Sequence, residues 1–357
     1  MTSVIAYFKP SLQEPCLTPL TAAEVSAFRA KLAVCFDRTV QQTAYTAKKN
    51  HLLWLYREFG LNPHTRVSIP LTLMYASIPS LLLEAITVEM KEQYYECLEI
   101  CFRAGANVCD PATEDASGNK ENLLVYCLRA ARYARDQDSM AETEMRLGAL
   151  ALILSHFHQP HVGPIFPFAY TFLGEFSVWD LAIRFAGAQA ADFFAYHAVC
   201  MLLEAKIPLY SHYGVLNMAL RHIQNSVICM RVFSKLLPLV TDVNEPSEYR
   251  YEGFFWRKVP DVPLVAALSR RNSDSVELAR MLLERGADPN ALVPLEERGT
   301  QQVPPLYWAV KNTYCYAELI DLLLLHGAEP AFLPLDPLTR TERERLVPFF
   351  PVKKRKT

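Results

Sequence analysis

Three histidines lie close together in the sequence and could chelate a transition metal. His156, His158 and His161 fall within six residues, and Pro160 would turn the chain so that His161 approaches His158. Clustered imidazoles can bind zinc or copper. No acidic or thiol ligand lies beside them, however, and the helix dipole favours a histidine at a helix C-terminus. We therefore interpret the segment as a polar turn and predict no metal site and no cofactor.

The nine cysteines show neither a catalytic pattern nor the paired spacing of a zinc site. Cys97 and Cys101 are one helical turn apart, with Cys109 downstream, but Cys101 falls on the apolar stripe of its predicted helix. Free thiols commonly behave as small buried hydrophobes. The sequence also contains no nucleophile elbow, no phosphate-binding glycine loop and no His-Glu-x-x-His helix. We predict that the protein is not an enzyme and has no catalytic residues.

Two aromatic segments form the candidate binding site. Residues 249–258 interleave five aromatic residues with three bases, and residues 165–172 are similar but uncharged. Binding hot spots are enriched in Trp, Tyr and Arg, so exposed segments of this kind favour a protein partner. One alternative is that both segments fold back and cover neighbouring helices; another is stacking on single-stranded nucleic acid, which a neutral protein body does not support. The predicted partner-binding residues are Tyr249, Tyr251, Phe254, Phe255, Trp256, Arg257, Phe166, Phe168 and Tyr170.

A basic segment near the last residue has the composition of a targeting signal. Four consecutive bases, Lys353, Lys354, Arg355 and Lys356, follow Pro351, and the segment resembles a monopartite nuclear-import signal. Importin is then the expected partner and the nucleus the expected location. The alternative is a tail that only increases solubility.

Composition and charge exclude several other classes of protein. The 357 residues carry a formal net charge of −2, so no overall positive field attracts nucleic acid or an anionic membrane. The first residues lack the basic and apolar regions of a secretory signal. No apolar run approaches the roughly 18 residues that a membrane span requires. We therefore expect a soluble intracellular protein that binds neither membrane, nucleic acid nor a small-molecule substrate.

Helical patterns recur along the chain and must position these segments. In Glu277–Asn290 the apolar residues have the spacing of a one-sided helix, and Gly286 and Pro289 end it; Glu318–Pro330 is a near copy. A shorter helix is predicted before each of them, at Pro263–Ala267 and Pro305–Ala309, because proline suits the first helical position. Weaker openings are Ile69–Met74, Asn122–Cys127, Ser177–Ala182 and Val215–Ala219, and weaker closings are His51–Pro63, Glu96–Val108, Val199–Pro208 and Val232–Asn244. Residues 107–122 are polar and predicted to be a mobile loop.

These paired signatures resemble the ankyrin repeat, and most closely its insertion-rich fungal type. The match is close at Pro263–Asn290 and at Pro305–Pro330 and fair at Glu96–Val108. The resemblance implies an all-α ankyrin-repeat solenoid of about seven degenerate helix-turn-helix units with long fingers between them. Residues 1–19 would be an N-terminal extension, 20–335 the array, and 336–357 a C-terminal cap and basic tail. The residues expected to be buried between units are Leu264, Ala267, Leu282, Leu283, Leu306, Ala309, Leu323 and Leu324.

Such an array implies binding rather than catalysis. The sequence therefore predicts a non-catalytic scaffold for protein–protein interaction, in the form of a nuclear transcription coregulator that acts through protein partners. The alternative is a cytoplasmic adaptor, such as the substrate-recognition subunit of a ubiquitin ligase or a pathogen effector.

Overall fold

Helices dominate the fold of this chain. The computed structural model describes residues 67–349 with internal gaps, together with Ala23, Ser26 and Ala30. The gaps are residues 70–73, 77, 87, 104–105, 107, 109–110, 115–119, 133–138, 158–168, 172–173, 185–188, 210–213, 248–249, 253–254, 258–259, 296–300 and 335–337. Two compact units divide the chain, Met1–Pro208 and Leu209–Thr357. In the described part of the chain, no helix combines the length and the apolar character needed to cross a membrane.

The first unit contains alternating short and long helices. Their bounds are Ile78–Ala85 (α1), Lys91–Arg103 (α2), Leu123–Arg132 (α3), Met140–Ser155 (α4), Val178–Arg184 (α5) and Gln189–Glu204 (α6). The short helix α3 packs against α1, α5 and its own long partner α4, and α4 packs in turn against α2 and α6. Two helical layers result, and the core between them includes Cys97, Cys101, Leu124, Leu150 and Trp179.

Short antiparallel strands connect the helix pairs of the first unit. Strands β1 (Val67–Ile69), β2 (Met74–Ala76), β3 (Pro111–Glu114) and β4 (Lys120–Asn122) form one sheet in that order. Within this sheet two hairpins are joined edge to edge, because β2 pairs with β3 through Tyr75 opposite Glu114 and Ala76 opposite Thr113. A separate hairpin is made by β5 (Ala169–Thr171) and β6 (Gly174–Phe176).

The second unit continues the alternation of hairpins and helix pairs. Its helices are Val215–His222 (α7), Ser226–Leu236 (α8), Pro263–Leu268 (α9), Ser275–Glu284 (α10), Pro305–Lys311 (α11), Tyr316–Leu325 (α12) and Arg340–Leu346 (α13). Its strands are Arg250–Glu252 (β7), Phe255–Arg257 (β8), Val293–Pro294 (β9) and Gln302–Val303 (β10), which form two separate hairpins. Helix α9 packs against α7, α10 and α11; α12 packs against α10 and α11, and α13 covers α11.

Several long helices end with the same backbone closure. Gly286 and Gly327 have φ of 93° and 90°, the left-handed conformation that glycine adopts without steric cost. The next residue's N–H then bonds back across the last turn, from Ala287 to the Leu282 carbonyl at 2.9 Å and from Ala328 to the Leu323 carbonyl at 2.9 Å. The same backward bond closes α2, from Ala106 to Cys101, and α6, from Ile207 to Leu202, both at 3.0 Å.

Side chains also close the carbonyl ends of the short helices in the second unit. Arg270 donates to the carbonyls of Leu220 and Ile223 at the end of α7. Asn312 donates to the carbonyls of Leu268 and Arg270 at the end of α9. Arg345 of α13 donates to the Val310 carbonyl at the end of α11. Each short helix therefore has its last turn satisfied by a residue that lies further along the chain.

The structure confirms most of the predicted helix pairs and corrects three details. Proline begins α9 and α11 as predicted. The predicted helix at Ile69–Met74 is wrong: Ile69 ends β1 and Met74 begins β2, because these residues take part in cross-strand pairing. The segment 107–122, predicted to be a mobile loop, instead contains strands β3 and β4. The closing at His51–Pro63 lies outside the described residues.

The third correction concerns the predicted core. Seven of the eight predicted core residues, all but Leu324, are buried. Leu324 is only half-buried, and Leu322 is buried in its place. Helix α12 packs against α10 and α11, and among the described residues no further long helix follows it in the layer of α10. Within the segment 336–357, predicted to form a cap and tail, residues Arg340–Leu346 form α13, whose first turn has a capping box between Thr339 and Glu342.

Candidate partner-binding site

The hairpin β7–β8 contains the described part of the candidate binding segment. Its register places Tyr251 opposite Trp256, Glu252 opposite Phe255, and Arg250 opposite Arg257. The strands thus bring four of the predicted partner-binding residues, Tyr251, Phe255, Trp256 and Arg257, into one small antiparallel sheet. Tyr249 and Phe254 lie outside the described residues.

A buried polar network fixes the base of this hairpin. Ser247 and Asp261 exchange two backbone hydrogen bonds of 2.8 and 3.1 Å immediately outside the strands. The side-chain amide of Asn217 on α7 donates to the Ser247 hydroxyl and to the Asp261 carbonyl, both at 2.9 Å. Four residues further along α7, the Arg221 guanidinium donates to the Asp261 carboxylate at 2.7 Å. The hairpin therefore starts and ends at a position determined by α7.

The buried ion pair gives this anchor its specificity. Asp261 is only 1% exposed, so its carboxylate would be costly to bury without a cation. Arg221 supplies that cation, because its Nε and one terminal nitrogen both donate to the same carboxylate oxygen, Oδ2, at 3.1 and 2.7 Å. Gly214 at the start of α7 has φ of 69°, and a Cβ added there would lie 3.3 Å from the Asn217 amide nitrogen. The lack of a side chain at Gly214 therefore leaves room for the Asn217 amide in this network.

The strands of the hairpin pack mainly against each other. Among the described residues, the backbones of β7 and β8 make no extensive contact with a helix. The neighbouring helix α9 exposes no side chain, because all six of its residues are buried.

The second aromatic segment also contains a hairpin, β5–β6, in which Tyr170 lies opposite Glu175. Phe166 and Phe168 lie outside the described residues. Because β5–β6 belongs to the first unit and β7–β8 to the second, the idea that both segments flank one surface stays a prediction. The basic residues Lys353, Lys354, Arg355 and Lys356 are likewise outside the described residues.

Of the groups considered for metal binding and thiol chemistry, His156, Cys97 and Cys101 are described and have structural surroundings, whereas His158, His161 and Cys109 lie outside the described residues. His156 ends α4, stacks on Phe102 with ring centroids 4.6 Å apart, and bonds Glu99 through Nε2 at 2.8 Å. Burial raises the pKa of the Cys101 and Cys127 thiols to about 12, which keeps them protonated and unreactive at neutral pH. The predicted core position of Cys101 is thus confirmed. Over the described ranges, no three His, Cys, Asp or Glu residues are grouped so that they could hold a metal ion.

Sequence reasoning singled out the aromatic segment but predicted neither its hairpin nor the anchor at the base of that hairpin. Asn217 and Asp261 are 44 positions apart, so no local pattern connects them. A partial signal was the spacing of Asn217 and Arg221, which puts two polar side chains on one face of an otherwise apolar helix. In comparisons with known proteins, no family model matches the sequence, and no curated protein sequence is significantly similar to it.

Proposed function

We propose that this chain is a divergent ankyrin-type repeat array that serves as a non-catalytic scaffold for protein partners. The observation that carries the proposal is a pair of equivalent asparagine contacts between successive turns. Asn244 donates to the carbonyl of the left-handed Gly286 at 3.0 Å and accepts from the Asp288 N–H at 2.7 Å. Asn290 donates to the carbonyl of the left-handed Gly327 at 2.9 Å and accepts from the Glu329 N–H at 2.7 Å.

Identical contacts at two successive turns support a repeating geometry. Each asparagine side chain bonds to the backbone of the following turn. Its two hydrogen bonds form only if the two neighbouring turns are displaced from each other by the same distance in both cases. In addition, Asn244 and Asn290 each follow an aspartate by two residues, and that aspartate accepts the asparagine N–H at 2.8 Å in both turns. A stack whose units contact only their neighbours needs this kind of local repetition.

A role in binding is supported by the hairpin rather than by a cavity. The hairpin β7–β8 carries Trp, Tyr and Arg, the residue types that dominate binding hot spots. Its base is held by the Asn217, Arg221 and Asp261 network, so these residues are presented on a fixed support. A rigid support lowers the entropy lost when a partner binds.

The decisive experiment is a Trp256→Ala, Arg257→Ala double variant in cells. Proximity labelling with mass spectrometry should show loss of the principal partners, while the melting temperature stays nearly unchanged because the helices provide most of the stability. The matched control is Tyr314→Ala, Arg280→Ala, which removes one aromatic and one basic side chain that are both exposed in the same unit. If the hairpin variant unfolds the protein, the hairpin is part of the core; if it retains every partner, the binding site lies elsewhere.

Nuclear location is part of the same proposal and rests on the segment Lys353–Lys356. With a mass of 40.6 kDa, the protein enters the nucleus inefficiently by diffusion once a fluorescent protein is fused to it. Changing the four bases to Ala should shift the tagged protein to the cytoplasm. The control replaces four exposed bases of the second unit, Arg231, Lys235, Arg271 and Arg280, with Ala. An unchanged distribution of the tail variant would refute the import signal and favour the cytoplasmic adaptor.

A further inference from the structure

In the described part of the chain, the hairpin β7–β8 has two strand edges without a strand partner. Among the described residues, its sheet contains only these two strands. In an antiparallel pair, alternate residues direct their N–H and C=O groups away from the partner strand. Such an edge is a template for a further strand.

The chain itself contains an example of hairpins that pair at their edges. In the first unit, β2 of one hairpin pairs antiparallel with β3 of the next through two residue pairs. Strands of only three and four residues are therefore sufficient for edge pairing in this protein. The hairpin β7–β8 has strands of the same length but no such neighbour in its described unit.

The sequence of β7 is self-complementary in an antiparallel arrangement. Its three residues are Arg250, Tyr251 and Glu252. If two copies of β7 pair about Tyr251, Arg250 of each copy lies opposite Glu252 of the other, and opposite charges that face each other across strands stabilise pairing. The same operation on β8 places Phe255 opposite Arg257 and gives no pair of opposite charges.

We propose that β7 pairs antiparallel with β7 of a second copy of this chain, centred on Tyr251. The arrangement has twofold symmetry, so it closes as a dimer instead of growing into a filament. A single three-residue edge buries far less area than a standard stable interface, which makes the association weak and dependent on concentration. This inference goes beyond the scaffold role and does not rest on it, because it uses only the hairpin backbone and the order of its charges.

A charge-exchange experiment tests both the pairing and its register. Sedimentation equilibrium over a wide concentration range should show reversible dimerisation of the full-length chain. Arg250→Glu and Glu252→Arg alone each place two pairs of like charges in the dimer and should weaken dimerisation by at least about tenfold. An equimolar mixture of the two variants places opposite charges together again at both positions, so its heterodimer should form within about threefold of the wild-type affinity.

The control is Arg271→Glu, which makes the same change of charge at an exposed position outside the hairpin and should leave dimerisation unchanged. Circular dichroism of every variant verifies that the helices are retained. The proposal is overturned if the wild type is monomeric at the highest soluble concentration. It is also overturned if the mixture stays as weak as the single variants, or if Arg271→Glu weakens dimerisation as much as Arg250→Glu does.

Discussion

Helices α10 and α12 of the second unit have ten residues each and end at a left-handed glycine. In contrast, α4 and α6 of the first unit have 16 residues each, and the left-handed residue after α6 is Lys206, with φ of 54°. Both α6 and α10 nevertheless close with the same backward hydrogen bond. The closure is therefore a property of the backbone path, and glycine only lowers its cost.

The two units also differ in how successive turns are connected. In the second unit Asn244 and Asn290 join each turn to the next. In the first unit two successive hairpins are joined through β2 and β3 instead. There, Arg146 of α4 donates to the Leu83 carbonyl near the end of α1 at 2.7 Å. Backbone strand pairing thus contributes in the first unit what short polar side chains contribute in the second, whereas a buried arginine closes a short helix in both units, Arg146 in the first and Arg270 in the second.

This difference explains why the repeated sequence pattern is clear in the second unit and weak in the first. A turn that depends on glycine, aspartate and asparagine leaves a signature at fixed positions. A turn that depends on strand pairing tolerates many sequences, because backbone groups provide the contacts.

The largest effect is expected from the packed face of the second unit. Leu283 on α10 is 5% exposed, and Leu283→Ala should lower the free energy of unfolding by about 2–5 kcal/mol through lost burial and a residual cavity. Leu325 at the end of α12 is 80% exposed, so Leu325→Ala should change the free energy of unfolding by less than about 0.5 kcal/mol. Urea denaturation followed by circular dichroism measures both. If both substitutions lowered the free energy of unfolding equally, the difference in burial between the two leucines would be refuted.

A smaller effect is expected from the side chain that closes α9. Buried Asn312 donates two hydrogen bonds to the carbonyls of Leu268 and Arg270 and accepts two from the N–H groups of Tyr314 and Cys315. Asn312→Ala leaves these groups without partners and should cost about 1–3 kcal/mol. Asn290→Ala is the comparison: its two bonds are exposed and water can replace them, so about 0.5–1 kcal/mol is expected. The same urea titration ranks the two, and the opposite order would contradict this account.

Much of the helical arrangement could be predicted because it depends on local rules. Pro263 and Pro305 begin helices, and Gly286 and Gly327 end them, so periodicity and terminal residues were sufficient there. The strands could not be predicted because three residues are too few to show an alternating pattern. The hairpin β1–β2, for example, was read as a helix opening from Pro70 and the leucines beside it.

The residue types of the candidate site could be predicted from the sequence, but the contacts that hold its hairpin in place could not. The aromatic residues of 249–258 are conspicuous in the sequence, whereas the Ser247 and Asp261 pair is an ordinary serine and an ordinary aspartate. Their importance follows from contacts with α7, which belong to tertiary structure. The same is true of Arg270: its ion pair with Asp274 is local, but its bonds to the carbonyls at the end of α7 form only when α7 and α9 pack together.

A reciprocal exchange at two helix ends tests the comparison of the units directly. Gly286→Lys introduces a side chain at φ of 93°, where a Cβ meets no atom within 4 Å, so only backbone strain opposes it. Lys206→Gly relieves the same strain in α6. The free energy of unfolding should fall by about 1 kcal/mol in the first case and rise by a similar or smaller amount in the second. Guanidinium titrations that give changes of the same sign would contradict the common closure.

The smallest effect concerns the pair that joins α2 to the end of α4 in the first unit. The hydrogen bond with His156, opposed by burial and aided by the charges of His156 and Arg103, holds the pKa of Glu99 below its ordinary value of 4.5. A carboxyl whose folded-state pKa is lowered stabilises the fold above its ordinary pKa, and this stabilisation is lost as the pH falls through the folded-state value. Because the Glu99 side chain is 42% exposed, solvent weakens the contribution. The melting temperature of Glu99→Gln should therefore lie slightly below that of the wild type near neutral pH and converge with it in acid. Glu92→Gln, an exposed change on the same helix, should follow the wild type throughout. A Glu99→Gln difference that persists unchanged in acid would show that the pair does not depend on the charge of Glu99.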